Sequence, residues 1–347
     1  MPFFGLAQIP PGYYDGTAGL TGLPLKTALY NIILGHTVIS YDDLYGAYVT
    51  TDNLPTNKVW DMYSIRADGT ADYWYTNSAN SSDQCTSYNS EGDCYNREHS
   101  VPQSWFNENS PMVSDLFHVY PTDGYVNGKR GDLPFGEVGT VDWTSTNGSL
   151  QGDCVTPGYT GHVFEPIDSF KGDFARTYFY MATRYQNVVS AWPSNSTTCA
   201  VVFDGNGGLV FKSWYVTMLL SWCALDPVST KEINRNNAVY AIQDNRNPFI
   251  DHPEWILSIW GPTTGCNDID LQQQVSLFPC PADNSINIRY SPAVSPENAE
   301  LYDLQGRMVL QLTTETSINT TELPAGFYFL KIQFDEGIVE KEFVIIH

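Results

Sequence analysis

Glu98 and His99 stand side by side in "NREHSVPQSWF", behind Arg97 and just ahead of Pro102. Their types suit the hydrolysis of a phosphodiester. An imidazole takes a proton from water as a general base. A carboxylate offers the hard oxygen that Mg²⁺ prefers, and Asn127, in "VNGKRGD", offers another. A divalent cation held there neutralises the charge that builds on the phosphate and the leaving oxygen. Neighbouring residues of a regular strand face opposite ways, so a shared site needs an irregularity, which Pro102 supplies. An adjacent Glu–His pair is common on protein surfaces and decides nothing alone. Arg130 is the nearest residue that could grip a phosphate, because a guanidinium binds one bidentately. An ion pair with Asp132 or Asp123 is the alternative, and Arg97 and Arg176 follow as candidates.

Three elements must bring these residues together. They are a strand carrying Glu98 and His99, a short strand at "LFHVY", and a helix begun by the turn chemistry of "TDGYVNGKRGD". Helical spacing runs from Pro24 to about Tyr48, with Leu25, Leu29, Ile32 and Ile33 near one face and a second helix after Ser40. "VWDMYSI" reads as a strand. "KGDFARTYFYMATRY" spaces Phe174, Tyr178, Met181 and Tyr185 at helical intervals, as a core face does. "KSWYVTMLLSWCAL" reads as a buried helix, and Ser229 with Glu232 has capping-box spacing at the head of another. Asp115 and Asp173 read as hydrogen-bond acceptors at element ends, and Asn245, Arg246 and Asn247 as braces. His36, His162, His252 and His347 show no partner in the sequence.

The 347 residues are 42% hydrophobic and 14% aromatic, enough for a sizeable core, which excludes wholesale disorder. The net charge of −22 argues against a tight, non-specific nucleic-acid binder with a basic face. With only 17 Lys and Arg, direct phosphate contacts should be few, ~2–4, and the salt dependence shallow. None of the seven cysteines forms a CxxC pair, which disfavours a zinc ribbon. Cys85 and Cys94 flank the turn-rich "TSYNSEGD" and could close it as a disulfide, fitting an oxidising compartment. Cys223 reads as a buried free thiol. No stretch is long and apolar enough to cross a membrane. After Trp260 the character changes. "GPTTGCNDIDLQQQ" is linker-like, and beyond it residues alternate with period two. Ile286, Ile288 and Tyr290 form one set, and Tyr328, Leu330, Ile332 and Phe334 another, with hairpin turns at "DLQGR" and "FDEGI".

Five separated segments, "NREHSVPQSWF", "SDLFHVYPTD", "VNGKRGDLPFG", "FEPIDSFKGDFARTYFYMATRY" and "QDNRNPFIDHPEW", occur in one order. Together they resemble the endonuclease I family of secreted bacterial nucleases, a branch of the His-Me finger (ββα-metal) superfamily. The resemblance covers roughly Ile9 to Trp260. It implies a metal-dependent, sequence-independent endonuclease acting on DNA, RNA or both. The family's general base falls on His99 and its metal-binding residues on Glu98 and Asn127; Arg130, the nearest candidate phosphate contact by residue type, completes the expected catalytic set. Mg²⁺ suits these ligands best, with Ca²⁺ and Mn²⁺ as alternatives. Two departures stand out. Phe117 takes a position where many relatives have histidine or asparagine, which leaves His118 to back the site. "RGD" replaces the common "RGN", so Asp132 is expected to alter the helix start or the local charge.

The tail segments "VSLFPCPADNSINI", "AELYDLQGRMV", "LPAGFYFLKI" and "EKEFVII" resemble the sorting domain of type IX secretion cargo, with Cys280 where relatives commonly have asparagine. The expected fold is α+β: a mostly helical nuclease domain with a ββα-metal core, then a small β-sandwich. The expected boundaries are 1–8 for a signal-peptide remnant or apolar arm, 9–261 for the catalytic domain, 262–271 for a linker and 272–347 for the sandwich. The expected partners are DNA and/or RNA and the type IX secretion machinery, and the expected location is extracellular or on the cell surface. Other readings are a catalytically inert adhesion protein on a nuclease scaffold, a zinc hydrolase using His99 and His118, and a carbohydrate-binding tail. The tail shows no cluster of exposed aromatics to recommend the last.

Overall fold

The computed structural model describes residues 9–261, 274–291, 295–312, 316–334 and 337–347. The expected N-terminal arm and the linker 262–271 lie outside the described residues, as does the "DE" of "FDEGI". The chain divides into two compact units, Met1–Gly261 and Pro262–His347, each with its own core.

The first unit opens with α1 (Gly22–Ile33) and α2 (Leu44–Thr51). Leu25, Leu29 and Ile33 are buried on one face of α1, as their spacing predicts, and Ile32 packs at the margin of the core. Next come β1 (Tyr95–His99), β2 (Val119–Asp123) and α3 (Gly124–Arg130). A three-stranded antiparallel sheet follows, built of β3 (Val138–Thr144), β4 (Leu150–Cys154) and β5 (His162–Glu165). The long helix α4 (Asp168–Arg184) runs through the core with every residue from Phe170 to Arg184 buried. A helix buried on all sides has no solvent face to balance, so polar groups on it must be paired internally. Tyr178 donates to the carbonyl of Ser100 at 2.9 Å, which ties α4 to the end of β1. The helices α5 (Ser213–Leu225), α6 (Thr230–Gln243) and α7 (Glu254–Trp260) complete the unit. The capping box at Ser229 and Glu232 forms as read, and Glu232 also accepts from Arg176 Nη2 of α4 at 2.8 Å.

Three sequence expectations change. "VWDMYSI" is a strand only at its first residue, and Asp61–Ile65 form a turn. The Asp61 carboxylate accepts from the Tyr63 amide at 2.8 Å, taking the donor that a ladder would have used. In "LFHVY" the strand starts at Val119, because Asp115 captures the amide of Phe117 with its side chain and those of His118 and Val119 with its carbonyl. Helix α5 is buried on one face only, through Trp214, Tyr215, Met218, Leu219 and Trp222, while Leu225 is exposed. Cys223 on it is a free thiol, half-buried rather than fully buried.

The second unit holds β6 (Val275–Phe278), β7 (Ser285–Tyr290), β8 (Asn298–Asp303), β9 (Met308–Leu312), β10 (Ser317–Asn319), β11 (Gly326–Phe334) and β12 (Gly337–Ile345). One sheet has the order β9–β8–β11–β12 and the other β10–β7–β6, all antiparallel. Ile286, Ile288, Leu330, Ile332 and Phe334 fill the core at alternate positions, as the period-two pattern requires. The expectation that the tail has no cluster of exposed aromatics needs correcting: Phe327 and Phe329 stand exposed two residues apart on β11, and Phe278 is exposed on β6. Because each unit has its own core, a chain ending at about Leu271 is expected to fold and keep full activity while losing export. An insoluble truncated protein, by expression and circular dichroism, would show that the units share a core.

Candidate active site

Strands β1 and β2 pair with Glu98 opposite Tyr120 and His99 opposite Val119. Helix α3 starts at once, capped by Asp123, whose carboxylate accepts from Val126 at 2.8 Å. Asp61 fixes that junction by accepting from the amide of Asp123 at 2.9 Å. The ladder ends at His99, where the amide and hydroxyl of Ser100 both turn to the His118 carbonyl at 3.0 Å. At this strand end both neighbours reach one place: Glu98, His99, Asn127 and Arg130 all line a cavity of ≈ 580 Å³. The Cys85–Cys94 disulfide is formed, and its loop packs on α3. Two glycines allow that approach. A Cβ on Gly124 would lie 2.5 Å from Cys85 Sγ, and one on Gly128 would lie 2.7 Å from the Tyr88 hydroxyl.

His99 is 5% exposed, and its Nε2 lies 3.0 Å from the carbonyl oxygen of Val113. A carbonyl only accepts, so the proton of the neutral ring sits on Nε2 and the lone pair on Nδ1. Among the described residues Nδ1 has no hydrogen-bond partner. Burial pushes the His99 pKa down to about 3, helped by neighbouring His118, Arg97 and Arg130. The ring is therefore neutral at any ordinary pH. Tyr41 stacks on it with ring centroids 5.9 Å apart, and the His118 ring meets it edge-on with centroids 5.4 Å apart. His118 is held in the same way, by Nε2 on the Met112 carbonyl at 2.6 Å.

Glu98 is 1% exposed and keyed through one oxygen. Its Oε1 accepts from Tyr63 at 2.8 Å and from Arg130 Nη1 at 3.0 Å. Burial raises the carboxyl's pKa, and Arg130 and Tyr63 oppose the rise. Oε2 has no protein partner among the described residues. Arg130 is itself buried and also donates to the carbonyls of His99 and Ser100. Its ion pair is with Glu98, not with Asp132 or Asp123. With both terminal nitrogens engaged, Arg130 grips the carboxylate and the strand end.

Asn127 donates through Nδ2 to Asn96 Oδ1 at 2.7 Å and to the Arg97 carbonyl at 3.4 Å. The carbonyl fixes which way the amide lies, so Oδ1 is its unengaged atom. Among the described residues no group of three or more His, Cys, Asp or Glu side chains converges to hold a metal. A cation here would have one carboxylate oxygen, one amide oxygen and waters, a donor set suited to a hard ion such as Mg²⁺. The Nε2 atoms of His99 and His118 face backbone carbonyls, which does not suit a zinc site built on both.

The remaining candidates sort by contact. Arg97 lines the cavity and lies over the Tyr41 ring, 3.7 Å from its centroid. Arg176 is buried against Glu232. Asp115 accepts from Tyr180, Tyr185, Phe117 and Gln243. Asn245 donates to Tyr180, Arg246 pairs with Asp251, and Asn247 caps a helical turn at Phe249, all as braces. Phe117 is core, 4.7 Å from the Tyr180 ring, while Asp132 stays at the cavity and accepts from Thr198. His36 meets Arg184, His162 meets Asp142 and Asp153, His252 meets Glu254, and His347 meets the Leu323 carbonyl. Sequence reasoning missed Tyr63 and Tyr41. Tyr63 was hidden in a segment read as strand, and no local pattern marks Tyr41.

A ββα unit inside a mostly helical domain is the arrangement that the sequence resemblance implied. The family model for Endonuclease I matches residues 21–254, and the chain belongs to that family. It is 36% identical to an extracellular ribonuclease of Bacillus subtilis (strain 168), over 72% of this chain and 78% of that protein. The extracellular ribonuclease of Bacillus amyloliquefaciens is 35% identical over the same shares. An Endonuclease-1 of Buchnera aphidicola subsp. Acyrthosiphon pisum (strain APS) is 24% identical over 40% of this chain and 45% of its own length. This kinship supports a nuclease. The family model for a secretion system C-terminal sorting domain matches residues 276–346, so the sandwich is a type IX sorting domain and the protein is secreted. Among the described residues no helix is long and apolar enough to cross a membrane.

Proposed function

We propose that the protein is a divalent-cation-dependent endonuclease that hydrolyses phosphodiester bonds of DNA and/or RNA outside the cell, without regard to sequence. The observation that carries the reading is the free lone pair of His99 Nδ1, set by the Val113 carbonyl, in a cavity also lined by Glu98 and Asn127. Water beside His99 gives its proton to Nδ1 as the oxygen attacks phosphorus and the leaving oxygen departs. The Nε2–H bond to Val113 keeps the ring in place as it becomes an imidazolium. Glu98 and Asn127 would hold the cation, which when bound would supply charge neutralisation at the phosphate and the leaving oxygen. Arg130 and Tyr63 hold Glu98 in position.

Plasmid DNA and total RNA incubated with the protein should be cut in Mg²⁺, stop being cut in excess EDTA, and be cut again on adding Mg²⁺ back. Undiminished cleavage in EDTA sinks the cation. No cleavage of either polymer in Mg²⁺ sinks the nuclease and leaves the inert scaffold.

A further inference from the structure

The turn Asn107–Glu108–Asn109 forms a ridge. Glu108 lines the His99 cavity, while Asn107 and Asn109 line a second cavity of ≈ 550 Å³ on its other side. No aspartate or glutamate lines the second cavity, in a chain of net charge −22. Arg184, the last residue of α4, lines it and is 5% exposed. Its Nε donates to His36 Nδ1 at 3.0 Å. Arginine is always charged and only donates, so His36 accepts through Nδ1 and is neutral. Burial lowers the His36 pKa, in keeping with that state. The N–H groups on both Nη atoms of Arg184 have no hydrogen-bond partner among the described residues, and no carboxylate lies within ion-pairing reach.

Among the described arginines of the first unit Arg184 is alone in this. Arg66, Arg97, Arg130, Arg176, Arg235 and Arg246 each pair with a carboxylate. A buried charge without a counter-charge is costly unless something supplies one. The rim offers further donors. The side chains of Asn107, Asn109 and Asn187 are exposed there without protein partners among the described residues.

We propose that this second cavity binds a backbone phosphate of the same nucleic-acid strand that the His99 cavity cuts, with Arg184 as its ligand and the rim asparagines around it. The inference rests on the nuclease reading. It places the strand across the ridge, so that an acidic protein holds its substrate with one well-shielded arginine rather than with a basic face.

The test uses full-length protein carrying His99→Ala in Mg²⁺, with fluorescent oligonucleotides of two and of about a dozen nucleotides. Arg184→Gln should weaken binding of the longer oligonucleotide by roughly ten- to a hundredfold, the range of a charge-assisted phosphate contact. Asn187→Asp, at an exposed position where folding is not at stake, should weaken it in the same direction. The dinucleotide is too short to span both cavities and should lose nothing. Inorganic phosphate should compete with the longer oligonucleotide on the parent protein and not on Arg184→Gln. If Arg184→Gln fails to fold, Asn187→Asp decides alone. Unchanged affinity in the variants, or equal losses for short and long oligonucleotides, overturns the proposal. Phosphate binding that needs Arg184 without any effect on oligonucleotides makes this a free-anion site and overturns the strand assignment. A chain with His99 intact that cuts neither DNA nor RNA overturns the nuclease reading itself, an outcome seen before any variant is made.

Discussion

His99→Ala should lower kcat/KM on nucleic acid by ~10²–10⁴-fold, the usual share of a general base. The protein should still fold. The Val113 carbonyl loses its donor, which costs ~1–3 kcal/mol for a buried group, or a few degrees of Tm in a unit of this size. Added imidazole, entering the vacated space, should restore part of the rate. The pH profile carries a second signature. His99 is proton-free above its lowered pKa of about 3, so the acid side of the profile should lie well below pH 6 rather than at the ordinary histidine value. A near wild-type rate in His99→Ala, or an acid limb near 6.5 that this variant leaves in place, would mean that another group activates the water.

Arg130→Ala should damage the fold more than a lost phosphate contact would. The variant leaves Glu98 buried with Tyr63 as its hydrogen-bond partner, takes the Arg130 donor from the His99 carbonyl and leaves the Ser100 carbonyl with Tyr178 alone. Removing one partner of a buried pair costs ~3–5 kcal/mol, roughly 6–20 °C of Tm at this size. Thermal unfolding followed by circular dichroism reads this directly. A Tm within a degree or two of wild type, together with a raised KM, would return Arg130 to the role of phosphate contact that its sequence position suggests.

What could be read from the sequence was local. The spacing of Leu25, Leu29 and Ile33, the capping box at Ser229 and the alternation of Ile286 and Ile288 each depend on residues a few positions apart, and each formed as read. Glu98, His99 and Asn127 came from residue type and family likeness, and the chain brings them to one cavity. The electrostatics were illegible because they depend on distant pairs. Nothing near Arg130 in sequence points to Glu98, and nothing near His99 points to the Val113 carbonyl. The two misread strands share one cause: Asp61 and Asp115 each divert a backbone amide into a turn, which hydrophobic pattern cannot register.

The disulfide loop on α3 gives the enzyme a clock. Its bond does not persist where glutathione and thioredoxin keep thiols reduced. The segment between Cys85 and Cys94 supplies Thr86, Ser87 and Tyr88 to the cavity wall, pressed onto Gly124 and Gly128. In a reducing cytoplasm that wall lacks its covalent clasp, so the candidate cavity is expected to be complete only after the chain reaches an oxidising compartment. Protein reduced with dithiothreitol should cut several-fold more slowly than the oxidised form and recover on reoxidation. Equal rates for the two forms would make the clasp irrelevant to latency.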